Sequence, residues 1–196
     1  MIKHNYIDRL QTYLEKFDFR QIDFLVELLV SVESTGSHVF IAGNGGSAST
    51  ASHMATDLLS LNSKSNFKLK VISLCDNTSL ITAVGNDIDF SQIFCEQIKL
   101  LGREGDVLIV ISASGNSPNL IHAITAADRL KVKTLGILGF DGGKIKNLVS
   151  KYLLVKSEIG DYGPVEDIHL MINHMVKEGV LNRIKLSSSA SQENQN

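Results

Sequence analysis

Cysteine is scarce: the 196 residues hold two, Cys75 and Cys95, both in apolar surroundings and without CxxC or zinc-finger spacing. A disulfide framework is not expected, and both side chains read as small core residues. A surplus of charge is missing too, since 19 Lys and Arg face 21 Asp and Glu for a net charge of -2. Without a basic excess there is no dedicated polyanion-binding surface, and nucleic acid is not an expected partner. No stretch approaches the roughly 18 apolar residues of a membrane span, and Met1-Ile2-Lys3-His4-Asn5 lacks the apolar run of a signal peptide. These absences point to a protein that works in the cytoplasm, off the membrane.

The composition that remains, 43% hydrophobic and 20% charged, is that of an ordinary soluble globular chain. Its length suits one α/β domain with a full core, expected over residues 1–186. Residues 187–196 are rich in Ser, Gln and Asn without periodicity, and a disordered tail is expected there.

Apolar residues recur at helical intervals well before the first strand: Ile7, Leu10 and Leu14, then Ile22, Leu25, Val26, Leu29 and Val30. This spacing predicts two helices broken near Asp18-Phe19, whose apolar surface must pack on the domain or on another subunit. Beyond Ser34, apolar strands are predicted at Val39–Ala42, Leu69–Leu74, Val107–Ile111, Thr134–Leu138 and Tyr152–Val155. Helices fall between them: one to about Leu61, others near Ser79–Val84, Ser91–Leu101 and Pro118–Leu130, and a short one at Gly143–Leu148. Asn62-Ser63-Lys64-Ser65-Asn66 reads as a polar loop, and Pro164 suits the first turn of a final helix reaching about Ile184. Five apolar strands separated by helices imply a doubly wound α/β fold, a five-stranded parallel sheet flanked by helices on both faces.

Chemistry concentrates at two strand-to-helix turns. In Ile41-Ala42-Gly43-Asn44-Gly45-Gly46-Ser47-Ala48-Ser49 the glycines let backbone N–H groups approach a ligand, and Ser47 stands at a helix start. Ile109-Val110-Ile111 runs likewise into Ser112-Ala113-Ser114-Gly115-Asn116-Ser117 and then Pro118. Serine hydroxyls donate to phosphate oxygens, helix N-terminal amides add partial positive charge, and open α/β sheets bind ligands at this edge. Helix capping by Ser114 or Ser117 is compatible with the same role.

The pairing of Gly43-Asn44-Gly45-Gly46-Ser47-Ala48 with Ser112-Ala113-Ser114-Gly115-Asn116-Ser117 resembles the SIS (sugar isomerase) domain family. Ala83-Val84-Gly85-Asn86-Asp87, Gly102-Arg103-Glu104-Gly105-Asp106-Val107 and Asp141-Gly142-Gly143-Lys144 are similar to the sedoheptulose-7-phosphate isomerases within it, over about residues 5–184. The resemblance implies a homotetramer with the N-terminal helices in its core. It implies an enzyme of heptose biosynthesis for lipopolysaccharide or capsule, taking sedoheptulose 7-phosphate to D-glycero-D-manno-heptose 7-phosphate through an enediol(ate). It further implies that Ser47, Ser112, Ser114 and Ser117 hold the phosphate beside the Gly45 and Gly46 backbone, with Asn44, Asn86 and Asp87 as further substrate contacts. Asp57 falls on the catalytic base and His174 on the acid. Zinc, held in some members, would fall to His53, Asp57, Glu166 and His174, with no nucleotide or organic cofactor.

The residues themselves support an active centre there. His53 and Asp57 lie four apart on one helix face, and Glu166 and His174 lie eight apart, about two turns, on nearby rows of another. Two imidazoles and two carboxylates can move protons, bind a divalent metal, or do both. His169 carries no direct chemical role in the family pattern and reads either as structural or as a support behind the site residues. The chain departs from that pattern at Asp57, one methylene shorter than the usual glutamate, at Leu61 in place of an arginine, and at Glu166 in place of a glutamine. The extra charge of Glu166 favours a metal. The stretch Gly160-Asp161-Tyr162-Gly163-Pro164 also differs. The alternatives are a non-catalytic SIS protein that binds the replication initiator, against which His174 speaks, and a sugar-phosphate-sensing module.

Overall fold

Burial on both faces explains why the strands are apolar at almost every position. In the computed structural model, which describes the backbone of residues 2–63 and 67–193 and the side chains of 5–63 and 67–186, five strands form one sheet. They are β1 (His38–Gly43), β2 (Lys70–Ser73), β3 (Val107–Ser112), β4 (Lys133–Phe140) and β5 (Lys151–Lys156), in the order β2-β1-β3-β4-β5. Every pairing is parallel, with Val39 opposite Val107 and Gly43 opposite Ile111. The crossovers from β1 to β4 are made by α3 (Gly46–Leu61), α4 (Thr78–Asp87), α5 (Cys95–Leu101) and α6 (Pro118–Arg129), and the one from β4 to β5 by a single 3-10 turn. Two helices, α1 (Ile2–Lys16) and α2 (Arg20–Thr35), precede the sheet, and α7 (Tyr162–Glu193) follows it.

The strand period of two divides the core. Val39, Ile41, Val107, Ile109 and Ile111 point to one face, where they meet Leu25 and Leu29 of α2, Met54 and Leu58 of α3, and Ile168, Ile172 and Val176 of α7. Phe40, Ala42, Leu108 and Val110 point to the other, against Phe94 and Ile98 near α5 and Leu120, Ile124 and Ala127 of α6. The apolar face of α2 is therefore covered within the chain and does not of itself require a second copy, although Ile7, Phe19 and Phe24 remain exposed. Among the described residues no helix is long and apolar enough to cross a membrane.

Several elements differ from the sequence reading. The stretch around 91–101 splits into a 3-10 turn (Phe90–Gln92) and α5, and the short helix expected at Gly143–Leu148 is a 3-10 turn over Ile145–Asn147. β2 is four residues long. In the expected polar loop, Asn62 and Ser63 form a turn and residues 64–66 lie outside the described ones. The final helix starts two residues before Pro164 and continues past Ile184. Residues 187–193, expected in a structureless tail, extend α7, and 194–196 lie outside the described residues. A helix already nucleated gains one bond per added residue, so weak formers can extend it.

Replacing the fully buried Leu29 by Ala removes packing between α2 and α7, with an expected cost of about 2–5 kcal/mol. Urea unfolding is expected to show this as a fall in midpoint, while Leu59→Ala, at an exposed position, shifts it little.

Candidate active site

The strand order places the candidate site. From β1 the sheet grows to β2 on one side and through β3 to β5 on the other, so the chain diverges between the carboxyl ends of β1 and β3. At such a switch point a crevice opens between neighbouring turns. One turn, Asn44-Gly45, leads into α3, whose first amides, those of Gly46 and Ser47, have no acceptor within the helix. The other, Ala113 to Ser117, leads into α6 with Pro118 at its first position. Asn44 and Asn119 tie the two together: Asn44 Nδ2 donates to Asn119 Oδ1 at 2.9 Å and Asn119 Nδ2 donates to Asn44 Oδ1 at 2.8 Å. The sequence reading missed Asn119, because no local spacing links residues 75 apart.

The serine loop is stiff. Ser112 Oγ accepts from the Gly115 N–H at 3.0 Å, and Ser114 Oγ accepts from the Asn116 N–H at 3.3 Å. Behind it lies the turn Asp141-Gly142-Gly143-Lys144, whose Lys144 N–H donates to Asn116 Oδ1 at 3.1 Å. A Cβ on Gly115, which has φ +62°, would stand 2.0 Å from the Gly142 carbonyl oxygen, so only glycine allows this contact. Ser47, Ser112, Ser114 and Ser117 then face Asn44 around a cavity of about 170 Å³, closed by Tyr162 and Glu166 of α7. That is small beside pockets of roughly 300–1,000 Å³ that enclose whole ligands. It suits one anionic group, the remainder of a ligand lying outside.

Along α3 from Ser47, about 9 Å away at His53 and about 15 Å away at Asp57 by helical rise, a second group of residues assembles. His53 Nε2 and His174 Nε2 lie 3.5 and 3.9 Å from Asp57 Oδ2, and the two rings meet edge to face with centroids 5.1 Å apart. Both imidazoles are about half exposed, whereas Asp57 is buried. Two α7 residues that the sequence reading did not single out complete its surroundings. Lys177 Nζ donates to Asp57 Oδ1 at 2.5 Å and Asn173 Nδ2 donates to Asp57 Oδ2 at 3.0 Å. Burial alone would raise the Asp57 carboxyl, but hydrogen bonds from Lys177 and Asn173, with the Lys177 charge, outweigh it and hold the group below the usual carboxylate range. Asp57 is therefore ionised at neutral pH.

Three expected site residues stand elsewhere. Glu166, about 12 Å along α7 from His174 by helical rise, is not in the group formed by the two imidazoles and Asp57. Its carboxylate instead packs on Gly46, where an added Cβ would lie 2.5 Å from Glu166 Oε2. There it faces the positive end of α3. Asn86 and Asp87 occupy the exposed last turn of α4, with Asn86 Nδ2 donating to Asp87 Oδ1 at 2.7 Å, and do not line the serine cavity. By that turn α4 has run roughly 13 Å away from the sheet edge where it begins.

The described donors that group closely enough for a metal are His53, Asp57 and His174, with ligand atoms all within 4.8 Å of one another. Zn–N and Zn–O bonds of about 2.0–2.2 Å at tetrahedral angles space ligand atoms by roughly 3.3–3.6 Å. The observed 3.5 and 3.9 Å from Asp57 are near that spacing and all three donors lie within 4.8 Å of one another, so a small inward movement of the two half-exposed imidazoles would let the set hold an ion with an open position.

One turn before Asn173, His169 is wholly buried. Neither ring nitrogen makes a well-formed hydrogen bond, the nearby Leu138 carbonyl counteracts burial only slightly, and desolvation pushes the group down to about 4. The folded state thus keeps His169 neutral while the unfolded chain takes a proton below its ordinary 6.5. Its contribution to stability is complete above pH 6.5 and falls as pH drops towards 4, by about 3 kcal/mol in all. A His169→Gln protein is expected to lose less of its melting temperature than the parent between pH 7 and pH 4.5, and equal losses would contradict this.

A sequence model of the SIS domain matches residues 5–139. The chain is 41% identical over 156 residues to a phosphoheptose isomerase of Clostridium acetobutylicum, covering 80% of this chain and 79% of that one. It is 39% identical over 151 residues to a phosphoheptose isomerase of Helicobacter pylori, covering 77% and 78%. Among solved structures, the phosphoheptose isomerase GmhA of Neisseria gonorrhoeae superposes with a TM-score of 0.80 at 30% identity, over 90% of this chain and 92% of its own.

Proposed function

The chain belongs to the SIS domain family, and from that premise we propose that it is an aldose–ketose isomerase that converts sedoheptulose 7-phosphate to D-glycero-D-manno-heptose 7-phosphate in the cytoplasm. The carrying observation is the position of an ionised Asp57 beside two imidazoles, on the same helix α3 whose start forms one wall of the serine cradle. An open, extended seven-carbon chain separates C1 from its terminal phosphorus by roughly 10 Å at ordinary bond lengths. A phosphate in the cradle lets the sugar chain extend along α3 towards His53 and Asp57.

The reaction moves a proton between C1 and C2. Asp57 Oδ2 takes it as base, giving an enediol(ate), and His174, on the same side of Asp57, serves the oxygens as acid. Ser47, Ser112, Ser114 and Ser117 with the Gly45 and Gly46 backbone hold the phosphate, which supplies binding energy for positioning, and Asn44 is fixed by Asn119 to meet the sugar chain. His53, Asp57 and His174 would hold a zinc ion, which when bound supplies Lewis-acid polarisation at the sugar oxygens.

Assembly as a homotetramer belongs to the same reading, and Asn86 and Asp87 then contact substrate in a neighbouring copy. Exposed Ile88 and Phe90 beside them support such a contact. Light scattering is expected to return four times the 21.4 kDa chain mass, and a monomeric mass would contradict this assembly.

The reading is tested with sedoheptulose 7-phosphate, following the aldose product by NMR. Asp57→Asn and His174→Gln are each expected to lose at least a hundredfold in kcat, in the range of general acid–base contributions of about 10²–10⁴. Turnover retained by folded Asp57→Asn refutes the role of Asp57. Binding without turnover in the unaltered protein would favour a sugar-phosphate sensor. Glu166→Gln keeps the shape of the cavity wall and removes a negative charge facing the phosphate. Its KM is expected to fall by roughly three- to tenfold, more at low ionic strength, and an unchanged or higher KM would contradict that repulsion.

A further inference from the structure

Lys177 is unused by the chemistry above, yet it makes the shortest polar contact in the second group. It lies on α7 four residues after Asn173 and three after His174, on the turn that faces Asp57 across the α3–α7 packing. Asp57 is thereby held at both ends. Oδ1 is taken by the Lys177 ammonium at 2.5 Å, and Oδ2, steadied by Asn173, is the oxygen left facing His53 and His174. Lys177 is itself only 29% exposed at its side chain, so solvent screens the pair weakly.

A divalent ion in the His53–Asp57–His174 group would share Asp57 with this ammonium. It would meet a carboxylate whose charge is already balanced, and a second cation within the radius at which charges act strongly on one another. We propose that Lys177 is a positioning residue that gives this centre a resident positive charge, fixing Asp57 through Oδ1 and weakening its hold on a divalent metal. The inference deepens the isomerase reading by specifying how the proposed base is held, and its metal arm stands apart from that reading.

The test compares the full-length parent, Lys177→Met and Lys177→Arg for zinc affinity by competition with a chromophoric chelator, after thermal unfolding has shown each to be folded. Lys177→Met frees Oδ1 and removes the charge, so zinc is expected to bind at least tenfold more tightly. Lys177→Arg keeps charge and donor and is expected to stay within threefold of the parent. Unchanged or weaker zinc binding in folded Lys177→Met overturns the proposal, as does an equal gain in both variants. If Lys177→Met does not fold, Lys177→Gln, which keeps a donor without the charge, carries the same expectation. With chelator present, Lys177→Met is further expected to lose at least tenfold in kcat on sedoheptulose 7-phosphate with KM within threefold, and Lys177→Arg to recover most of it. A parent that fails to turn over this sugar refutes the isomerase reading while leaving the zinc comparison decisive for Lys177.

Discussion

The parallel pairing of β1 with β3 is the constraint on which the site depends. Because β2 lies beyond β1 and β4 beyond β3, the two central strands send their following helices to opposite faces of the sheet, and the turns between strand and helix are left side by side. Two loops distant in the chain become one concave edge. The reciprocal amide pair of Asn44 and Asn119 locks that edge, and the turn at Asp141–Lys144 braces the serine loop from behind. Such bracing holds hydroxyls and helix amides in place before any ligand arrives, so little ordering is left for binding to oppose.

The second half of the site rests on the packing of α3 against α7. Most of that contact is apolar, through Met54, Leu58, Ile172 and Val176. A buried carboxylate in such a setting is stable only if paired, and Asp57 is paired twice from α7. The same helix carries His174 to one side of Asp57 and Glu166 to the wall of the serine cavity, so one rigid element spans both ends of the proposed ligand. A shift of α7 would disturb phosphate grip and proton transfer together.

The sequence carried the strands well, since Val39–Ala42 and Val107–Ile111 are apolar on both faces and bounded by glycine- and serine-rich turns. It also carried the cradle, because Ser47 and Ser112–Ser117 lie next to the strands that position them. His53 and Asp57 were legible as an i, i+4 pair. What stayed hidden depends on depth and distance. Spacing on α7 put Glu166 and His174 about two turns apart on nearby rows but did not reveal that the Glu166 carboxylate packs on Gly46 at the start of α3. Lys177 and Asn173 became visible only once α3 and α7 were in contact, and Asn119 only once β1 and β3 were. The 3-10 turn at Ile145–Asn147 read as a helix because its few apolar positions fit either geometry over so short a span. Composition spoke against helix at residues 187–193, where continuation of α7 outweighed local preference.

The central claim is that one ligand spans both groups, phosphate in the cradle and reacting carbons at Asp57. The most direct test is a crystal structure of the catalytically impaired Asp57→Asn protein with sedoheptulose 7-phosphate. The account requires the phosphate among Ser47, Ser112, Ser114 and Ser117, with C1 and C2 about 3–3.5 Å from the residue 57 side chain, the separation of a reactive pose. A phosphate seated instead in the larger cleft of about 570 Å³ beside Arg9, Lys16 and Lys156, or carbons turned away from position 57, would contradict it.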